Sequence, residues 1–417
     1  MNAADARPTL PGALREALGF QAHGEAVANL TLGEGSLDGR PVRVVLIENR
    51  LASGSIGKAE VAKLAPLLGI VARERSPLVL YLDSAGARVS EGLDALGAFR
   101  RLFREALAAR ISGAPIAIAL GRNCYGGASM LAHLSGKRLF SPDTQLAMSG
   151  PAILAQAAGT TVLDEMFRAI AEATIGSAAR AKASDANTVW SPEVDLAAWL
   201  RSALVADAQP WAGLVARHEA LRARLGNGLA TSQPEAVRRK DLERLFRDGY
   251  QAAECDGVIA GECIREGGTA PILGLVGASH VGAERAWRFA QAAWQHARTA
   301  PARLEVLLDC ETHAAKLDDE KIVLSEYIVD MGVALAAVAA RGTHVALTIL
   351  KRAGGGVYVA LAAPASSVAA VHGADIQVLP DAAVTSILGA SRGAAGDIVE
   401  YRRAGVADDE HRLGLLP

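Results

Sequence analysis

A chain of 417 residues is too long for one ordinary core and suits two domains of about 200 residues each. With 43 basic and 45 acidic residues the formal charge is −2, so there is no electrostatic reason to expect a nucleic-acid partner. Hydrophobic residues at 51%, aromatics at only 4% and 42 glycines describe an α/β protein of small side chains and tight turns, not a disordered one.

The first residues, Met1 to Arg7, lack a basic stretch leading into an apolar run, so no signal peptide is expected. The longest apolar stretch, Met331 to Leu350, is broken by Arg341 and His344 and reads as a helix and a strand, so no membrane span is expected. Cys124, Cys255, Cys263 and Cys310 have neither metal-ligand nor disulfide spacing, which predicts no metal and a reducing, cytoplasmic setting.

In chain order, residues 42–48 and 78–82 read as strands. Leu93, Leu96, Phe99, Leu102 and Leu107 mark one face of a helix, and Pro115 to Leu120 reads as a strand running into Tyr125-Gly126-Gly127. The second half repeats this order. Strands are predicted at Ile272–Val276 and Leu304–Leu308, a helix face at Leu324, Ile328, Met331, Leu335 and Val338, and a strand at His344–Leu350 running into Gly354-Gly355-Gly356. Gly57 and Gly282 are 225 residues apart, Asp83 and Asp309 226, and Gly127 and Gly356 229. A nearly constant offset points to an internal duplication, with domains at 1–230 and 231–417. The stretch 205–250 reads as charged and helical. The boundary falls near Gly226-Asn227-Gly228 and Ser232-Gln233-Pro234.

Each half has two glycine-rich strand-to-helix junctions; in the first they are Asp83 to Arg88 and Tyr125 to Ser129. A backbone N–H serves as a catalytic donor only where no side chain blocks it, and glycine at a helix start meets that condition while the dipole favours negative charge. Two such turns facing one another make an oxyanion hole. Close helix packing explains a single Gly-Gly turn equally well; four at matching places favour function.

These motifs resemble biotin-independent malonate decarboxylase, the first half its β subunit and the second its γ subunit, fused in one chain. Ser53 to Gly57 is similar to that family's G-G-S-I-G, and Leu82 to Glu91 to L-E-S-G-G-V-R-L-Q-E. Asn123 to Gly127 resembles its G-C-F-G-G turn, and Leu146 to Pro151 its L-G-L-S-G-P. In the second half, Asp309 to His313 stands where the family has D-S-Q-G-Q, Asp319-Glu320 matches a D-E pair, and Gly354 to Gly356 replaces S-G-G. The likeness covers about 40–230 and 270–390. Thr312 in place of glycine narrows the second-half turn, and Ser90 in place of glutamine changes the substrate wall.

The resemblance implies two tandem crotonase-like α/β domains that decarboxylate a malonyl thioester without biotin. Gly86, Ala87, Gly126 and Gly127 would hold the thioester enolate, and Thr312, His313, Gly355 and Gly356 would form the facing hole. Arg88, Ser90, Tyr125, Ser149 and Tyr358 are the expected substrate contacts. No bound cofactor is implied; the acyl group rides on coenzyme A or on the phosphopantetheine of an acyl carrier protein, and a homo-oligomer or a complex with other subunits is expected. The chemistry agrees, because losing CO2 from a malonyl thioester puts negative charge on the thioester oxygen, where preorganised N–H donors act.

Other roles remain open at this level. Arg88 and Glu91 either pair across a turn or shape the pocket, and His313 either protonates the enolate carbon or is only hydrogen-bonded. Tyr125 and Tyr358 either line the site or pack, and the basic 238–247 stretch either docks an acidic carrier or is a solvated helix face. The nearest alternative is the carboxyltransferase subunit of a biotin-dependent acyl-CoA carboxylase, which shares both holes; no cysteine precedes Cys124 to build a zinc ribbon. A caseinolytic-type peptidase is disfavoured because no histidine lies in Ala147 to Pro151 to serve Ser129. An enoyl-CoA hydratase is disfavoured because the glutamate expected just after the Gly-Gly turn is absent from Ala128 to Leu131. A non-catalytic scaffold is opposed by the intact glycine turns of both halves.

Overall fold

The computed structural model describes residues 9–160, 163–226, 232–389 and 396–412. By contact the chain forms two compact units, Met1–Ala87 with Ala108–Pro210, and Arg88–Leu107 with Trp211–Pro417.

The first unit is built on the strands β1 (Gln21–Ala22), β2 (Leu30–Leu37), β3 (Arg40–Ile47), β4 (Leu78–Ser84), β5 (Ile116–Tyr125), β6 (Arg138–Phe140), β7 (Gln145–Ala147) and β8 (Asn187–Val189). They pair in the order β1-β2-β3-β4-β5-β6-β8, with β7 also on β5. β2 and β3 form an antiparallel hairpin; from β3 onward the pairs are parallel. Parallel pairs need crossover helices. Its helices are α1 (Leu10–Leu18), α2 (Lys58–Glu74), the last turn of α3 (Leu93–Ile111), α4 (Gly127–Ala132), α5 (Pro151–Ala157), α6 (Glu165–Ile175), α7 (Ser177–Lys182) and α8 (Leu196–Ala203). Val42, Val44 and Leu46 alternate onto one face and meet Leu10, Leu14 and Leu18 of α1 and Trp199 and Leu200 of α8. Leu78 to Leu82 are all buried, as expected of a strand covered on both faces.

The second unit takes most of α3, then α9 (Pro210–Arg224), α10 (Lys240–Leu245), α11 (Ala283–Thr299), α12 (Leu317–Lys321), α13 (Leu324–Ala340), α14 (Gly355–Ala362), α15 (Asp381–Leu388) and α16 (Ile398–Ala404). Its strands are β9 (Glu235–Ala236), β10 (Tyr250–Cys255), β11 (Val258–Arg265), β12 (Gly268–Val281), β13 (Arg303–His313), β14 (His344–Gly354), β15 (Ser367–Val371), β16 (Asp375–Gln377) and β17 (Asp409–His411). Their order is β17-β15-β14-β13-β12-β11-β10-β9, with β16 on β14. This repeats the order of the first sheet, β12, β13 and β14 standing where β3, β4 and β5 stand, with β9 added at the edge beyond β10.

The repeat extends to an irregularity. Leu82 pairs with Leu120 but Ser84 with Cys124, and Leu308 pairs with Ile349 but Cys310 with Ala353. In each unit the second strand of the pair, β5 or β14, therefore carries two surplus residues, and Asp83 and Asp309 sit at the shift on the first.

Helix α3 lies in the first half of the sequence yet packs with the second unit. Arg100 makes two 3.0 Å bonds to Asp408 and donates to the Ala362 and Gly405 carbonyls, and Arg104 donates to the Ala363 and Ala365 carbonyls. These guanidinium groups satisfy carbonyls at and just beyond the C-terminal end of α14. Helix α9 is pinned by His218, whose ring meets Asp330 of α13 at 2.6 Å and Gln291 of α11 at 2.8 Å and stacks on Trp287.

The 205–250 stretch departs from the charged helical reading, because α9 ends at Arg224, β9 intervenes and α10 spans only Lys240–Leu245. Leu242, Leu245 and Phe246 are buried against Ile272 and Leu307, so this basic stretch has an inner apolar side. The expected division at residue 230 falls in 227–231, outside the described residues. Among the described residues no helix is long and apolar enough to cross a membrane.

Candidate active site

The strand surplus brings the end of β4 against the end of β5. Asp83 closes the irregularity by accepting the Asn123 N–H at 3.0 Å. Burial pushes its carboxyl above the usual range, while the Asn123 and Arg122 N–H groups oppose the shift. Beside it, Ala85 N–H donates to the Ser53 carbonyl and Ile56 N–H to the Gly86 carbonyl, so the Ser53-to-Gly57 turn clamps the segment.

Gly86 has φ +92°, and a Cβ there would stand 2.7 Å from the Tyr125 carbonyl oxygen and 3.0 Å from the Gly127 nitrogen. The two turns touch, and only glycine allows the approach. Gly126 has φ 52° and ψ −123°, again glycine's territory. The Gly86 N–H is committed to Ser84 Oγ at 3.1 Å, and the Gly126 N–H to the Ala147 carbonyl at 3.1 Å. This corrects the expectation of four equivalent donors. Gly86 and Gly126 shape the turns; among the described residues, no acceptor takes the N–H of Ala87 or Gly127.

Ser129 lies buried on α4 with its hydroxyl donating to the Gly126 carbonyl at 2.7 Å and close to Met148 Sδ, contacts that give it a packing role. Tyr125 is partly exposed; its phenol donates to Gln145 Oε1 at 2.6 Å and its ring faces Gly150. Burial, with the Cys124 thiol next, holds that phenol well above its ordinary pKa, so it is neutral and a donor. Ser149 is buried, and Ser90 is exposed on the short turn Val89–Glu91. Arg88 meets Glu91 at 3.1 Å across that turn.

In the second unit the matching turns also meet. Gly355 has φ +54°, and a Cβ on it would lie 2.6 Å from Thr312 Oγ1. Thr312 Oγ1 in turn lies 3.2 Å from His313 Nδ1. Thr312, His313, Gly355 and Gly356 are all buried. The threonine therefore fills the space that glycine leaves open in the first unit. Cys310 donates its thiol to the Thr312 carbonyl at 3.2 Å, and burial pushes that thiol up to about 12. Tyr358 is a correction: it is fully buried in α14 and its phenol donates to the Val406 carbonyl at 2.6 Å, so it packs and does not face a substrate.

Gln145 and Glu172 are neighbours of the site that sequence reading passes over. Gln145 accepts from Tyr125 and donates through Nε2 to Glu172 Oε2 at 2.9 Å. Nothing in a lone Gln or Glu signals this; the contact arises because β7 pairs beside the end of β5.

Residues 15–178 match the model of the carboxyl transferase domain, and the two sheets fit the expected pair of repeated α/β domains. Over 137 residues the chain is 31% identical to the acetyl-coenzyme A carboxylase carboxyl transferase subunit beta of Synechococcus sp. (strain JA-3-3Ab), covering 33% of this chain and 44% of that one. It is 29% identical over 146 residues to the methylmalonyl-CoA carboxyltransferase 12S subunit of Propionibacterium freudenreichii subsp. shermanii, covering 34% and 27%. Among solved structures, a Pseudomonas malonate decarboxylase hetero-tetramer in complex with malonate matches at 25% identity and TM-score 0.42, over 49% of this chain and 77% of that one. The chain spans less than half the length of the curated relatives named here.

Proposed function

We propose that this chain is an acyl-thioester enzyme acting on the bond between the α-carbon and a carboxyl group, with the enolate oxygen held by the N–H groups of Ala87 and Gly127. The observation that carries this reading is the close approach of the Gly86 and Gly126–Gly127 turns beside two uncommitted amides. When the C–CO2 bond breaks, its electron pair moves to the α-carbon and delocalises onto the thioester oxygen. Carbon dioxide departs, and a proton then adds to the α-carbon. The charge develops on the thioester oxygen, so fixed donors there lower the barrier without reorganising. The chain's own groups need no metal or cofactor for that step, and the acyl group would be carried by coenzyme A or a carrier protein.

Within this chemistry the turn sequences favour release of CO2 from a malonyl thioester without biotin. The names of the relatives favour a second reading, transfer of the carboxyl group to or from biotin within a complex of subunits. One experiment separates them: carboxyl-labelled malonyl-CoA and malonyl-carrier protein are each supplied to the purified protein, with and without a biotinyl acceptor. Label released as CO2 without biotin supports the first reading, and loss of label only with the acceptor supports the second. No reaction of any thioester under either condition overturns both.

A further inference from the structure

Strand β7 is only three residues long, yet the candidate site leans on it. It receives the Gly126 N–H at the Ala147 carbonyl, and its outer side is held by Arg180, which donates to the Leu146 carbonyl at 2.9 Å. Gln145 forms an isolated antiparallel bridge with Gly176. From Gln145 a directed chain of side-chain bonds runs inward to Tyr125, at 2.6 Å, and outward to Glu172, at 2.9 Å.

The direction of that chain is set by chemistry. A carboxylate only accepts, so Glu172 turns the Gln145 NH2 towards itself; the amide oxygen must then face Tyr125, and the phenol must donate. Glu172 is exposed, but its carboxylate is folded back over the end of α6, where a Cβ on Gly176 would come within 2.1 Å of its Oε1. The helix end thus has glycine where the carboxylate needs room. The malonate decarboxylase motif has phenylalanine where this chain has Tyr125, so the hydroxyl that receives this support is a departure from that pattern.

We propose that Gln145 and Glu172 are positioning residues for the acyl-thioester site, holding the Gly126–Gly127 turn in place through the Tyr125 phenol. The inference rests on the enolate reading above for its kinetic consequence, but not for its structural one. Loss of the tether leaves the donors present and loosens their aim, and an error of about 1 Å in such a group costs up to about 100-fold in rate.

The test uses the full chain with Gln145→Leu, Tyr125→Phe, Glu172→Leu and Glu172→Gln. Gln145→Leu, Tyr125→Phe and Glu172→Leu should lower kcat by about 10- to 100-fold with KM nearly unchanged. Glu172→Gln keeps an acceptor for the Gln145 NH2 and should restore most of the turnover. The double variant Tyr125→Phe/Gln145→Leu should be no slower than either single, because the three groups act as one unit. Hydrogen exchange of the 125–130 amides should quicken in Gln145→Leu. Unchanged exchange in folded Gln145→Leu, or a rise in KM alone, overturns the inference. An inactive wild type sinks the enolate reading instead, and the exchange measurement still decides this one.

Discussion

Gly86→Ala gives the sharpest test of the first-unit donors. The added methyl would stand 3.0 Å from the Gly127 nitrogen and 2.7 Å from the Tyr125 carbonyl, and it would have to do so at φ +92°. Two costs follow. The methyl crowds the approach to the Gly127 N–H, and losing one such donor lowers turnover by about 100- to 1,000-fold. The backbone strain destabilises the first unit by about 1–3 kcal/mol, which lowers Tm by about 2–4 °C for each kcal/mol in a unit of this size. Gly39→Ala separates the two, because Gly39 sits at φ +77° in the exposed β2–β3 turn with nothing within 4 Å of its added Cβ. It should share the strain and keep full activity. The assay is CO2 release from malonyl thioester at a temperature where circular dichroism shows both variants folded. Turnover of Gly86→Ala close to that of Gly39→Ala would remove the Gly127 N–H from the reaction.

Three further outcomes are expected. Ser129→Ala should retain most of the activity, since its hydroxyl only braces the Gly126 carbonyl; near-total loss of turnover would restore a nucleophilic serine. Burial pulls the His218 imidazole down, but Asp330 and then Gln291 outweigh it and leave its pKa raised above 6.5, with Glu219 adding to the rise. Its stabilisation is therefore complete below the unfolded value and lost as pH rises through the folded one. The Tm gap between wild type and His218→Gln should accordingly narrow in alkaline buffer, and a gap that widens would reverse the sign. Arg100→Ala should cost about 1.5–3 kcal/mol, the scale of hydrogen bonds to a charged group, read as an earlier urea transition of the second unit; an unmoved midpoint would show that the Asp408 pair contributes nothing.

The strand cores were legible because their side chains are apolar almost throughout: Val42 to Ile47, broken only by Arg43, Leu78 to Leu82 and Ile116 to Leu120 all lie within strands. The repeat was legible for the same reason, its offsets being carried by strand ends and turn glycines. What depends on backbone hydrogen bonding was not. Gly86 and Gly126 read as donors, and only the folded turns show their N–H groups spent on Ser84 and Ala147, so that the free amides belong to the next residue in each case. The same geometry changes the meaning of a mutation: at φ 52° and ψ −123°, a side chain on Gly126 tests the backbone before it tests the approach of a substrate. Long-range partnerships were equally hidden. The apolar stripe of α3 reads as a core face but does not say which core, and Arg100 finds Asp408 more than three hundred residues away. Tyr358 looked like the counterpart of Tyr125 until Val406 claimed its hydroxyl.

The two surplus residues in β5 and in β14 make the placing of each glycine turn a matter of chain length. Between the two halves the turn chemistry has drifted, Thr312 and His313 standing where Ala87's neighbourhood is open, yet the count from strand to turn is the same in both. A substitution along residues 121–123 leaves that count intact, whereas removing two of them would let β5 resume an even ladder and draw the Gly126–Gly127 turn back along the strand by about 6–7 Å. The number of residues along 121–123 therefore fixes the site as firmly as the bare backbone of Gly86 does: a short deletion there would displace the Gly126–Gly127 turn while leaving the rest of the sheet paired.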